Sequence, residues 1–340
     1  MLGIVEQGLI LGLMSIGVFV SFRIVNMADL TVDGTFALGG ALCVRLFSLG
    51  LNAPISLLLS LLAGASAGVL TGYLHRKLRI NVLLAGILVM TMLYSINLRI
   101  MDGPNLPIPK SSVSSSLGTY EQVAGKDPLA DLFESSAPVA KPQKETTRQR
   151  TYQNIFRGMA DGQDLFLLSV IILIGVTLTG LFLRTELGTA LRGFGTNPSG
   201  LESFGLPKTL MTLLGLGLAN GFVSLAGGIF ALYSGFADVT MGQGMIVTGL
   251  AVVMVGEILL VKKKIVYGLF APILGGIVYQ GILAVVMRYG YRIGFRASDM
   301  KLLTAIFIVA VIGFGLVSTN KRMKGKFRLS TIFGGGVSRD

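Results

Sequence analysis

The chain carries long apolar runs that recur with almost no charge inside them, and that pattern leaves few folds open. The runs cover 3–22, 34–50, 53–73, 82–100, 164–183, 209–233, 243–261, 265–287 and 301–318. Each approaches the roughly 20 residues that a helix needs to cross about 30 Å of hydrocarbon. In lipid only helices and closed barrels satisfy every backbone group. A barrel would show segments of about ten residues with alternating polarity, and none is visible. Composition agrees: 52% of the 340 residues are hydrophobic and 14% are charged, where a soluble domain carries about 25% charge. A soluble enzyme, a disordered chain and a nucleic-acid module are excluded. The expected fold is all-α, a polytopic transmembrane helical bundle of about 8–10 spans. The opening Met1-Leu2-Gly3-Ile4-Val5-Glu6 has no positive n-region, so it reads as the start of the first span, not as a signal peptide.

Charge gives orientation. Net charge is +12, and Lys and Arg in short loops mark the cytoplasmic side. His75-Arg76-Lys77 with Arg79, the run Lys262-Lys263-Lys264, and the tail with Lys321, Arg322, Lys324, Lys326 and Arg328 are the basic clusters. The span map puts all three on one side together with 184–208, and counting back places the N-terminus outside. Arg288, Arg292 and Arg296 fall outward against the rule. The expected organisation is N-terminal helices over 1–100, a polar extracytoplasmic insertion over 101–163, C-terminal helices over 164–318, and a basic cytoplasmic tail over 319–340. Pro104, Pro107, Pro109, a serine run and mixed charges give the insertion a flexible-loop composition. A docking arm for an extracytoplasmic partner is the alternative.

No catalytic constellation is present. With one Cys (Cys43) and one His (His75), there is no Cys-rich or His-cluster metal site and no His-based triad. No phosphate-loop motif occurs, so ATP-powered transport would need an ATPase on another chain. No metal and no cofactor are expected.

Polar residues in apolar context say more, because they usually face a bundle interior or cavity. The stretch 23–33 holds Arg23, Asn26, Asp29, Thr31 and Asp33 between two spans. It is either a polar turn at the membrane face or a broken, re-entrant segment lining a path, as in transporters with discontinuous helices. Glu257 lies just before the lysine run and has either a local Glu–Lys role or a pathway role. Asn97, Asn220 and Gln280 are lone amides suited to interhelical hydrogen bonds. The stripes Gly8–Gly12 and Gly64–Gly68–Gly72 suit close helix packing within the subunit or across a dimer. Pro272 predicts a kink. Ala28-Asp29-Leu30-Thr31 echoes Ala237-Asp238-Val239-Thr240, and the map puts the two on opposite faces, as an inverted repeat would require.

Between two spans, Arg184-Thr185-Glu186-Leu187-Gly188-Thr189-Ala190-Leu191-Arg192-Gly193-Phe194-Gly195-Thr196-Asn197-Pro198 resembles the R-T-x-x-G-x-x-L-R-x-x-G-x-N-P stretch of permease subunits in bacterial ABC importers of the branched-chain amino acid and ribose type. Residues 26–34, 235–242 and 299–305 are similar to the tryptophan/tyrosine branch of that superfamily. The resemblance covers roughly 1–100 and 164–318, and the long insertion departs from it. It implies a permease dimer, here a homodimer, in the bacterial cytoplasmic membrane, served by two ATP-binding cassette ATPase subunits and an extracytoplasmic binding protein. Arg184, Thr185, Gly188, Arg192, Gly195, Asn197 and Pro198 then become candidates for ATPase coupling. Physically, 184–208 is long enough for a short surface helix ended by Gly and Pro. Asn26, Asp29, Thr31, Asp33, Asp238 and Glu257 are candidates for lining or gating the path. An ion-gradient-driven secondary transporter is the rival reading, with Glu257 or Asp29 as its coupling carboxylate.

Overall fold

The structure, a computed structural model, describes residues 2–108, 163–203, 205–260 and 265–290, with isolated positions between 302 and 309. Most of the polar insertion, the lysine run at 262–264, Arg292, Arg296 and the basic tail lie outside these residues.

The first helix, α1 (Leu2–Phe19), runs directly into a π-helical turn at Val20–Ile24. After a linker come α2 (Thr31–Ser48), α3 (Ala53–Leu78) and α4 (Val82–Met101). A short strand β1 (Asn105–Pro107) follows. The second half contains α5 (Gln163–Phe182), α6 (Glu186–Thr196), α7 (Pro198–Ser203), α8 (Lys208–Ser234), strand β2 (Phe236–Asp238), α9 (Met245–Leu259) and α10 (Ile265–Gly290).

Local chemistry sets several of these boundaries. Pro54 opens the first turn of α3, where its missing N–H costs nothing. The helix closes at Arg79 in a left-handed conformation (φ 54°). His75, Arg76 and Lys77 occupy its last turn, where cations complement the helix dipole. Asn81 caps α4 by accepting from the Leu83 N–H at 3.1 Å. Gly235, at φ 81°, ends α8 and turns the chain into β2.

Among the described residues, five helical segments are long and apolar enough to cross a membrane: Gly3–Ile24, Ala53–Leu78, Val82–Met101, Lys208–Ser234 and Gly268–Gly290. A sixth is the pair α5–α6 if counted as one, although it bends by 80°. The apolar runs at 34–50 and 243–261 become α2 and α9. Both begin inside the protein: Thr31 is fully buried, and Asp33 in the first turn of α2 contacts the N-terminus of α9. Their starts are set by protein contacts rather than by the membrane boundary.

The core is built around α8, which packs on α1, α2 and α3. The glycine stripes work within the subunit. A Cβ on Gly64 would lie 2.5 Å from the Asn220 carbonyl oxygen, and one on Gly68 2.1 Å from that of Leu216, so α3 and α8 touch backbone to backbone. Gly8 and Gly12 of α1 make the same kind of contact with Ile277 and Ile273 of α10. Ile273 and Ile277 follow Gly64 and Gly68 at the spacing that separates Asp29 from Asp238. The α3–α8 crossing therefore recurs as α10–α1 with the partners exchanged. α1 and α8 run antiparallel: Gly3 at the start of α1 meets Tyr233 at the end of α8, while Val25 beyond α1 meets Gly215 near the start of α8. This is the arrangement of an inverted repeat.

The loop composition at 104–108 gave no hint of a strand. Nevertheless β1 pairs antiparallel with β2 in the register Asn105↔Asp238, Leu106↔Ala237, Pro107↔Phe236. Leu106 packs on a small cluster of Ala41, Val44, Met101, Ala231, Ala237 and Val239. That apolar patch fixes the start of the insertion at the end of the bundle opposite α6.

Candidate functional site

Two chain reversals and one surface helix hold the polar residues of interest. By the orientation expected from the basic loops, the reversal joining α1 to α2 is the inner one and that joining α8 to α9 the outer. The π-turn closes with Val25 N–H donating to the Val20 carbonyl at 2.9 Å, and Asn26 adopts a left-handed conformation at φ 57°. Asp29 is 0% exposed. One of its carboxylate oxygens accepts from the Thr31 backbone N–H at 2.9 Å, and the other from the Asn220 side-chain amide at 2.6 Å. The side-chain oxygen Oδ1 of Asn220 accepts from the Thr35 hydroxyl at 2.9 Å, and Thr31 and Thr71 share a hydroxyl hydrogen bond at 2.7 Å. Burying a carboxylate is costly unless its oxygens are satisfied, and here α2 and α8 each donate to one oxygen, while Thr71 of α3 bonds Thr31. The Asp29 end of this stretch is therefore built into the bundle, while Arg23, Asn26 and Ala28 stay exposed.

The outer reversal joins α8 to α9. Asp238 accepts from the Thr240 N–H at 2.7 Å and from the Thr240 hydroxyl at 2.5 Å. Its Asp-to-Thr turn has the same form as that of Asp29 and Thr31, but Asp238 is partly exposed and both of these donors are local. Asp33 links the two reversals. Its carboxylate accepts from the Gly244 N–H at 2.9 Å and the Ile246 N–H at 2.8 Å, capping α9 from another helix. Gly242 lies against Asp33 so closely that a Cβ would sit 1.8 Å from the Asp33 carbonyl oxygen.

Glu257, near the end of α9, forms an ion pair with Arg23 of the π-turn, whose Nε donates to Oε1 at 2.7 Å. The Lys262–Lys264 run lies outside the described residues, so its part in a local pairing with Glu257 goes undescribed. At the opposite end Arg45 pairs with Asp102 at 2.8 Å.

The expected surface helix at 184–208 is α6, followed by α7. Thr185 caps it by accepting from the Gly188 N–H at 3.2 Å. Gly188 permits the sharp bend from α5, because a Cβ there would lie 2.1 Å from the Phe182 carbonyl oxygen. Leu191 and Phe194 are buried against the bundle, while Arg184, Glu186, Leu187 and Thr189 are exposed. Arg192 donates to Thr189 at 3.0 Å. Asn197 accepts from the Gly200 N–H at 3.0 Å, and Pro198 starts α7. The helix ends at Thr196, so Gly195 is not its terminator. Gly195 is instead a contact point: a Cβ would lie 1.9 Å from the Ile24 carbonyl oxygen in the π-turn.

Beneath α6 is a cavity of about 430 Å³. It is lined by the linker (Val25, Asn26, Met27), the end of α3 (His75, Arg76), α6 (Phe194, Gly195, Thr196), Pro198 and Lys208. Asn26 is the one path candidate that opens onto it; Asp29, Thr31, Asp33, Asp238 and Glu257 are held in the hydrogen bonds given above. Thr35 and Thr71 complete the buried network, and nothing in the sequence singled them out. A threonine in an apolar helix can satisfy its own hydroxyl on the preceding turn, so it carries little signal.

Comparison with known proteins adds to this geometry. Residues 1–312 match the family described as branched-chain amino acid transport system, permease component. The chain is 31% identical to a tyrosine transport system permease protein of Clostridioides difficile (strain R20291), over 96% of each chain. It is 30% identical to the uncharacterized protein RP368 of Rickettsia prowazekii (strain Madrid E), over 89% of this chain and 93% of the other. No solved structure matches.

Proposed function

The chain belongs to the family of branched-chain amino acid transport system permease components, and from that premise we propose that it is the translocating half of an ATP-driven importer. Being a permease, it is a transport subunit and not an enzyme, and it is an integral membrane protein, of the inner membrane in bacteria. In the proposed mechanism two copies form the path, two ATPase subunits bind the cytoplasmic face, and an extracytoplasmic binding protein delivers the solute. The similarity to a tyrosine permease makes an aromatic amino acid the favoured substrate.

The observation that carries the reading is the seat of α6. An amphipathic helix lies at 80° to the span before it and presents Glu186, Leu187 and Thr189 outward. Its inner face meets the π-turn, where Gly195 contacts Ile24. A push on α6 by an ATPase then reaches the α1–α2 break as a rigid-body displacement. Arg184, Thr185, Gly188, Arg192, Asn197 and Pro198 shape and cap this coupling unit. Asn26, Asp29, Thr31, Asp33, Asp238 and Glu257 gate the path by holding the two reversals in register, with Asn26 at its inner mouth.

The test is Gly195→Leu. It pushes α6 off the Ile24 backbone at the end of the first span. Because α6 lies at the end of the bundle and can move away as a unit, unlike Gly242 wedged between α2 and α9, the protein accumulates in the membrane at near wild-type levels while uptake of labelled tyrosine is lost. Wild-type uptake by that variant would defeat the coupling assignment.

A further inference from the structure

The cavity beneath α6 has a chemical character that coupling does not require. Its lining includes His75, Arg76 and Lys208 and no acidic side chain. Arg76 is held in place: its Nε donates to the Thr212 hydroxyl at 3.0 Å, and its guanidinium carbon lies 5.7 Å from the centre of the Phe194 ring. Lys208 pairs at 2.5 Å with Glu202, which stands outside the cavity with its side chain 62% exposed, so that pair is weak and exchangeable. His75 uses one ring nitrogen on the Ile80 carbonyl at 2.6 Å. Val25, Met27 and Phe194 give the same cavity an apolar wall. It lies where the ends of α3 and α8 meet an interfacial helix, on the side marked cytoplasmic by the basic loops. Anionic head groups concentrate at that surface, and basic pockets between spans are suited to them. Its volume falls within the range of small-molecule sites.

We propose that this cavity binds a phosphate-bearing anion, supplied by the head group of an anionic phospholipid or by free phosphate. Its oxygens bridge Arg76 of α3 and Lys208 of α8, and its occupancy seats Phe194 and hence α6 against the linker. The proposal does not depend on the transport reading, since it concerns binding to the chain itself.

The full chain is placed in phosphatidylcholine nanodiscs with or without phosphatidylglycerol, and bound lipid is counted by native mass spectrometry. Wild type retains phosphatidylglycerol selectively. Arg76→Gln with Lys208→Gln weakens that retention about 30-fold, equivalent to about 2 kcal/mol. Lys77→Gln with Arg79→Gln removes the same charge beside Arg76 but outside the cavity, and leaves retention unchanged. Should the first double variant fail to fold, Lys208→Gln alone shows about a fivefold loss. In a phosphatidylcholine-only arm, a rise in heat stability with inorganic phosphate that is absent from the variant also supports the site and makes free phosphate the ligand. Equal phosphatidylglycerol retention by the cavity and control variants, with no phosphate effect on wild type, overturns the proposal.

Discussion

The two chain reversals share a four-residue pattern and a hydrogen-bonded turn, yet they are anchored by different means. At the inner one Asp29 is sealed from solvent and reaches Asn220 on α8. At the outer one Asp238 accepts from its own Thr240, and the segment is held by pairing with Asn105–Pro107. Side-chain bonds to α8 lock the Asp29 turn. The Asp238 turn bonds locally and is held by strand pairing, while the Asp33 carboxylate caps α9 beyond it. Similar sequences thus give one buried, cross-linked turn and one part-exposed, local turn, and the difference lies in what surrounds them.

This contrast can be broken by substitution. The largest effect belongs to the junction that joins both reversals. Gly242→Val would drive a side chain into the Asp33 backbone and should prevent accumulation of folded protein, because backbone cannot yield as a flexible side chain does. Asp29→Ala strands the Thr31 N–H and the Asn220 amide, a loss of about 3 kcal/mol. The midpoint of heat inactivation in detergent should fall by about 6–10 °C. Asp238→Ala removes a local turn at a partly exposed site and should cost about 1 kcal/mol by the same measurement. If it proves as damaging as Asp29→Ala, the distinction between a cross-linked and a local turn fails. The smallest stability change is expected for Arg23→Gln. Its ion pair with Glu257 is part-exposed, with side chains 41% and 31% accessible, so the loss is at most about 1 kcal/mol.

Much of the helical framework was legible in the sequence, because lipid imposes a length and an apolarity that few other structures share. The glycine stripes were legible as packing, and the Asp29 and Asp238 echo as a repeat. What escaped the sequence was long-range pairing. Nothing near Asp29 names Asn220 as its donor, and Arg23 and Glu257 lie 234 residues apart. Gly195 shows the limit most clearly. Read locally, a glycine followed by Asn-Pro is a helix terminator, but its place is decided by the Ile24 backbone from the first span. The strand at Asn105–Pro107 was hidden because three residues take their conformation from Phe236–Asp238 and carry little pattern of their own.

Under the proposed coupling, this chain moves solute only when an ATPase acts on α6. Uptake of labelled tyrosine by membrane vesicles from cells expressing the transport system tests it most directly, with ATP supplied or depleted and ion gradients intact or collapsed. Uptake should require ATP, survive collapse of the gradients and disappear in Gly195→Leu vesicles containing normal amounts of protein. Uptake that continues without nucleotide and follows an ion gradient would contradict it.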